Sequence, residues 1–170
     1  LGFGYIEVGT ITPHAQPGNE KPRLFRLRSD EAVINRMGFN NKGISNLANA
    51  ISRTTKAVPL GINLGKNKNT ALENAADDYI IGLQRTWQYA DYFTINISSP
   101  NTENLRNLQQ EEYLAPLIKS ILDARDSKVK KSEDYKQIWL KIAPDLDDKE
   151  LQVICDIVLN LKVDALVLTN

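Results

Sequence analysis

The segment Ile95-Asn96-Ile97-Ser98-Ser99-Pro100-Asn101-Thr102 closes an apolar run that begins at Tyr92, and it closes it in amides and hydroxyls. A strand buried in a parallel sheet should be mostly apolar. Polar groups at its C-terminal end are costly unless something polar meets them there. The same pattern recurs at Asn63, Lys141 and Asn170, each at or near the end of an apolar run. An asparagine offers one carbonyl acceptor and two amide donors. Asn63, Asn96, Asn101 and Asn170 converging would match a ligand edged with alternating N–H and C=O groups, such as a pyrimidine. The alternative is that each amide only stitches loop backbone together. Several strands delivering polar groups to one rim suggest a barrel with a ligand at its mouth.

Lys141 stands between Leu140 and Ile142. Strict alternation points it into the barrel, where an ammonium needs a carboxylate or an anionic ligand. No Asp or Glu sits at the other strand ends, which favours the ligand. Asp145 and Asp147, after Pro144, read as loop and helix-cap residues. Asn35-Arg36-Met37-Gly38-Phe39-Asn40 mixes amides, a glycine and an aromatic, as suits a segment folding over a flat ring. Arg23, Arg26 and Arg28 read equally as an anion patch or a solvated edge.

The elements that must position these groups alternate along the chain. Tyr5 to Ile11 is a strand. Residues 21–37 resemble an inserted hairpin, with extended runs at 23–27 and 32–35. Ile44, Leu47, Ala48 and Ile51 fall at helical spacing. Val58 to Leu64 is the next strand. Thr70-Ala71-Leu72-Glu73 has capping-box spacing ahead of a helix with Ala75, Ala76, Tyr79, Ile80, Leu83 and Trp87 inward. After the strand Tyr92 to Ile97 comes a helix marked by Tyr113, Leu114, Leu117, Ile118, Ile121 and Leu122. A charged linker, Ser127 to Lys136, leads to the strand Ile138 to Ile142. Asp147-Asp148-Lys149-Glu150 caps a last helix with Leu151, Ile154, Val158 and Leu161 inward, before the strand Ala165 to Asn170.

Such alternation implies a parallel sheet. No Gly-rich loop follows the first strand, as an open nucleotide-binding sheet would require. Gly61-Ile62-Asn63-Leu64-Gly65-Lys66-Asn67 has one residue too few between its glycines for a phosphate loop and no Ser/Thr after its lysine. The reading is therefore an α/β (β/α)8 TIM barrel, partial, with about five of eight strands. A full barrel takes about 250 residues, and this chain has 170.

Composition narrows the chemistry. Twenty-one basic and 21 acidic residues give a formal net charge of zero, and so no case for nucleic acid. No apolar run approaches the roughly 20 residues of a membrane span. One cysteine, Cys155, and one histidine, His14, leave no internal disulfide, multi-cysteine metal site or His-pair zinc site. Cys155 reads as a buried structural thiol on a helix face, and His14 as a solvated loop residue. Flavin, nicotinamide or phosphate chemistry needs neither.

Six segments, Glu7 to Pro13, Ile34 to Asn40, Gly61 to Asn67, Asn96 to Thr102, Lys141 to Leu146 and Thr169-Asn170, resemble in this order the class 2 dihydroorotate dehydrogenases. These are quinone-linked flavoenzymes of pyrimidine (UMP) biosynthesis, built as FMN-containing barrels that oxidise dihydroorotate to orotate. The resemblance implies Ser99 as the catalytic base for the C5 proton, with the C6 hydride passing to the flavin and Thr102 as the proton relay. It implies substrate contacts at Asn35, Asn96, Asn101 and Asn170, with Arg36, Met37, Gly38 and Phe39 closing beside them. Flavin contacts are implied at Thr10, Asn63, Asn96, Lys141 and Thr169, and no metal.

The resemblance makes residues 1–170 the central part of a single FMN-binding barrel domain. The first strand and a membrane-contacting helical segment are expected before Leu1, and the phosphate-binding loops after Asn170. The electron acceptor is expected to be a quinone (ubiquinone or menaquinone). The location expected for a bacterial source is peripheral, on the cytoplasmic side of the cell inner membrane. Rival readings are a class 1 dihydroorotate dehydrogenase or another pyrimidine-directed flavin barrel, and an inactive fragment that acts only as a binding module. Ser99, where class 1 is expected to have cysteine, and the hairpin argue for class 2.

Overall fold

The computed structural model describes residues 2–102, 104–132 and 134–169, without the side chain of Ser132. The Asn170 assignment falls outside them. Five strands form one parallel sheet: β1 (Ile6–Ile11), β4 (Leu60–Leu64), β5 (Tyr92–Asn96), β6 (Gln137–Lys141) and β7 (Ala165–Val167). They lie side by side in chain order, without the reversal that defines an open doubly wound sheet. Helices α1 (Ile44–Ile51), α2 (Ala75–Thr86), α3 (Glu111–Ser132) and α4 (Asp148–Leu161) supply the crossovers. This is part of a (β/α)8 barrel, seen as an arc of five strands among the described residues.

Alternation along each strand sorts the side chains into two layers. Ile62, Leu64, Phe93, Ile95, Ile138 and Leu140 are buried, in one core with Tyr79, Leu83, Leu114, Ile118, Ile121 and Ile154 of the helices. The residues between them, Asn63, Thr94, Asn96 and Lys141, face inward with Glu7 of β1. Beneath them an aromatic floor stacks Tyr92 on Trp139, ring centroids 3.9 Å apart. Gly61 makes room for it: a Cβ there would lie 2.1 Å from the Tyr92 ring.

The hairpin is present as antiparallel β2 (Leu24–Leu27) and β3 (Ala32–Asn35), joined by a 3-10 turn with Glu31 in the left-handed region. Arg23 is tied to the loop before β2, its Nη1 donating to the carbonyls of Pro17 and Asn19.

Four local expectations change. The capping box at Thr70 and Glu73 does not form. A 3-10 turn, Leu72–Asn74, comes first, and α2 opens without a side-chain cap. The Thr70 N–H that Glu73 would cap donates instead to the Asn67 carbonyl, in a loop gathered around Lys66, 1% exposed, whose ammonium donates to the carbonyls of Asn67 and Thr70. The first part of the expected linker, residues 127–132, continues α3 instead. Its lysines are good helix formers and suit a helix C-terminus, and Val129 packs on the core. In α4 the capping box of Asp147 and Glu150 is present, but Leu151 is exposed and Ile157 takes its place inside. Cys155 is half-buried rather than fully so.

Candidate active site

The rim begins with an irregularity in β1. Val8 pairs with Ile62 but Ile11 with Leu64, so β1 carries one extra residue. Such a bulge bends a strand and re-aims a side chain. Gly9, at φ +131°, lets the bulge close on β4, since a Cβ there would lie 2.4 Å from the Asn63 carbonyl oxygen. Thr10 is thereby turned onto Asn63: its hydroxyl donates to Asn63 Oδ1 at 2.6 Å and accepts from Asn96 Nδ2 at 2.9 Å. Asn96 and Lys141 are register partners on β5 and β6. Lys141 Nζ donates to Ser98 Oγ at 2.9 Å, and Ser98 Oγ donates to Asn96 Oδ1 at 3.0 Å. Thr10, Asn63, Asn96 and Lys141 thus meet in one hydrogen-bonded network on four neighbouring strands. Thr169, just past β7, is half-buried.

The expectation that no carboxylate serves Lys141 is corrected by Glu7. One layer below the rim, its carboxylate accepts from Asn63 Nδ2 at 2.8 Å and from Thr94 Oγ1 at 2.6 Å. Burial pushes the Lys141 ammonium below the usual lysine range, and the negative charge of Glu7 opposes that shift.

The loop after β5 carries Ser99 and Thr102, both buried. Ser99 Oγ accepts from the Asn101 N–H at 3.2 Å. The Thr102 hydroxyl is buried with no hydrogen-bond partner among the described residues. Native structures rarely leave such a group unmet; the Trp87 indole N–H and the Tyr92 hydroxyl share this state. Asn101 reaches the hairpin, its Nδ2 lying 3.4 Å from the Asn35 carbonyl oxygen. The Asn35 side chain accepts from the Met37 N–H. The Arg36 guanidinium donates twice to the Pro22 carbonyl. Gly38 is buried, and the Phe39 ring, with the Thr10 methyl, crowds the open side of Gly65. The 35–39 segment therefore sits beside the rim.

Asn19 joins the two loops. Its Nδ2 donates to the carbonyls of Arg36 and Asn101, both at 3.0 Å. Sequence reasoning missed Glu7, Ser98 and Asn19. A charge inside an apolar strand, two residues before a glycine, was the available signal for Glu7. Ser98 and Asn19 act through loop geometry that no local pattern encodes.

These features define a β/α barrel with a candidate ligand site at the C-terminal ends of its strands, where amides, hydroxyls and the Lys141 ammonium meet among the described residues. A sequence profile described as dihydroorotate dehydrogenase matches residues 1–170. The chain belongs to the dihydroorotate dehydrogenase family. Over all 170 residues it is 52% identical to a dihydroorotate dehydrogenase (quinone) of Idiomarina loihiensis and 49% identical to one of Aliivibrio salmonicida. It spans about half the length of the curated relatives it matches, 51% in each of these two. Two solved structures from Eimeria tenella are similar. One, DHODH in complex with ferulenol, has a TM-score of 0.88 at 40% identity over 99% of this chain and 50% of its own. The other, of ligand-free type, has a TM-score of 0.87 at 41% identity over 99% of this chain and 52% of its own.

Proposed function

We propose that these 170 residues serve as the central part of a single FMN-binding barrel domain that oxidises dihydroorotate to orotate and passes the electrons to a quinone. The observation that carries this reading is the convergence of Thr10, Asn63, Asn96 and Lys141 on one rim beside Ser99. Membership of the family implies a flavin, and the residues present fit one. Amides, hydroxyls and an ammonium suit the N–H and C=O edge of a flat heteroaromatic ring, and the unmet Thr102 hydroxyl calls for a polar neighbour. Thr10, Asn63, Asn96, Lys141 and Thr169 would hold FMN. When bound, it would take up the two electrons released from the substrate and give them to the quinone.

The chain's own residues would do the rest. Asn35, Asn96, Asn101 and Asn170 would orient the pyrimidine, with residues 36–39 beside it. Ser99 would remove the C5 proton, its oxygen steadied by the Asn101 N–H as charge develops. A serine hydroxyl must lose its own proton to act as a base, and Thr102 is placed three residues on to pass it outward. The Lys141 ammonium would stabilise negative charge at the rim.

The printed names of the curated relatives support the quinone as acceptor. For a bacterial source, we assign the protein a peripheral place on the cytoplasmic side of the cell inner membrane. No described helix is long and apolar enough to cross a membrane.

The test is an anaerobic titration of the full-length protein with FMN and then dihydroorotate, followed by flavin absorbance. Bleaching reversed by a quinone but not by fumarate or NAD is the expected result. Reversal by fumarate or NAD would move the assignment to class 1 chemistry. Failure to bind FMN would leave the binding-module reading.

A further inference from the structure

Six side chains on β1, β4, β5, β6 and the loop after β5 form a chain of hydrogen bonds that runs in one direction. Lys141 Nζ donates to Ser98 Oγ, and Ser98 Oγ to Asn96 Oδ1. Asn96 Nδ2 donates to Thr10 Oγ1, and Thr10 Oγ1 to Asn63 Oδ1. Asn63 Nδ2 then donates to Glu7 Oε1. An ammonium can only donate and a carboxylate can only accept. Between two such ends every hydroxyl and amide has one consistent orientation. Two further bonds pin the chain: the Ser98 N–H also donates to Asn96 Oδ1, and Thr94 Oγ1 holds the second oxygen of Glu7.

We infer that Glu7 is a positioning residue for this rim: at one end of the one-way chain it sets the amide face of Asn63 and orders the bonds that run through Thr10 and Asn96 to the charged end of Lys141. The purpose of that arrangement rests on the flavin reading above, while its geometry does not. A carboxylate satisfied by Asn63 and Thr94 alone could be a packing feature of the barrel interior. Here the bonds continue without a break to a cation two strands beyond Asn63, and aligned hydrogen bonds polarise one another. The chain carries no proton, because an amide in the middle cannot receive one on its oxygen and release another from its nitrogen without becoming an imidic acid. It acts as an electrostatic lock. The Ser98 N–H fixes the face of Asn96 from one end, and the Glu7 carboxylate fixes that of Asn63 from the other; Thr10 between them can serve either as donor or as acceptor.

Burial disfavours the ammonium of Lys141, and among the described residues the carboxylate of Glu7 opposes that shift. The register partners of Lys141 on the neighbouring strands, Asn96 and Val167, do not titrate. On the far side of Ser98, the Arg106 guanidinium donates to the Ser98 carbonyl and is itself paired with Asp145 at 2.7 Å.

The test uses the full-length protein, with and without FMN. The pH dependence of Lys141 acetylation by acetic anhydride is read by mass spectrometry in wild type, Glu7→Gln and Thr10→Val. Glu7→Gln keeps the shape and an acceptor for Asn63 but removes the charge. Thr10→Val keeps both charged ends and cuts the chain between them. The expected result is that the Lys141 titration midpoint falls by about one unit in Glu7→Gln and by a smaller, measurable amount in Thr10→Val. An unmoved midpoint in Glu7→Gln overturns the inference. A shift in Glu7→Gln with none in Thr10→Val also overturns it, since Glu7 would then act through space alone. If Glu7→Gln does not fold, Thr10→Val alone decides, because both charges remain in it. A wild-type protein that takes up no FMN would defeat the flavin reading, and the labelling comparison would still decide the role of Glu7.

Discussion

A serine that takes a proton from carbon must first be relieved of its own, so Ser99 is only as effective as the groups around its hydroxyl. In the full-length protein, Ser99→Ala should lower turnover by about 10²–10⁴-fold, the usual contribution of a general base. FMN content should stay at the wild-type level. Stopped-flow reduction by dihydroorotate checks this, and near-normal rates would remove Ser99 from its role. Asn19 offers a second test at this scale, since one NH₂ group holds two loops. Asn19→Asp keeps the shape but loses both donors, each worth about 0.5–1.5 kcal/mol. The KM for dihydroorotate should rise roughly ten-fold with FMN binding unchanged. An unchanged KM would show that the two loops are held without this bridge. Asn63, Asn96 and Lys141 were legible because each breaks an apolar run near its end. Glu7 was less so, because its meaning depends on Asn63 and Thr94, 56 and 87 positions along the chain.

At the level of elements, the alternating strands and the inward helix faces could be read almost directly from residue spacing. Leu140 and Ile142 are buried either side of Lys141, as alternation required. What local pattern did not show was competition for the same backbone groups. The Thr70 N–H that the Glu73 side chain would have to meet is taken by the Asn67 carbonyl, so a cap that looks right in the sequence does not form. Asp147 has no such competitor, and its capping box forms. Asp147→Ala should lower stability by about 1 kcal/mol, read from the midpoint of urea unfolding. Asp91 ties two strand starts together: its carboxylate accepts from the Leu60 N–H, and its own N–H donates to the Leu60 carbonyl. Burial pushes this carboxyl up, but the Lys56 ammonium and the Leu60 N–H outweigh burial and hold it below the usual carboxylate range of about 3.8. A depressed folded-state pKa adds stability that is present above the unfolded value and lost as pH falls through the folded one. The melting temperature of Asp91→Asn should therefore lie below that of wild type at neutral pH, and the gap should close as pH drops below about 4. A gap independent of pH would contradict the ion pair's role.

For the whole molecule, the consequence of an arc is two strands with one neighbour each. Among the described residues β1 pairs only with β4 and β7 only with β6, and Tyr5, Ile6 and Leu168 are exposed there. Unpaired apolar edges invite pairing with other chains. The 170-residue chain made by itself should self-associate with rising concentration, and its amide protons should exchange fastest in β1 and β7 and slowest in β5. Light scattering and hydrogen exchange test this, and a monodisperse chain with protected edges would refute it. The barrel class was visible in the sequence because a βα repeat without an early glycine-rich loop leaves few other arrangements. The neighbour-to-neighbour strand order also bears on how the molecule is made. Within the arc each new strand docks on the strand of the same sheet that precedes it in the chain, so these contacts form in chain order. A ribosome that has released Lys141 has already delivered every residue of the chain from Glu7 to Lys141. The polar rim can therefore assemble during translation, before any later strand exists.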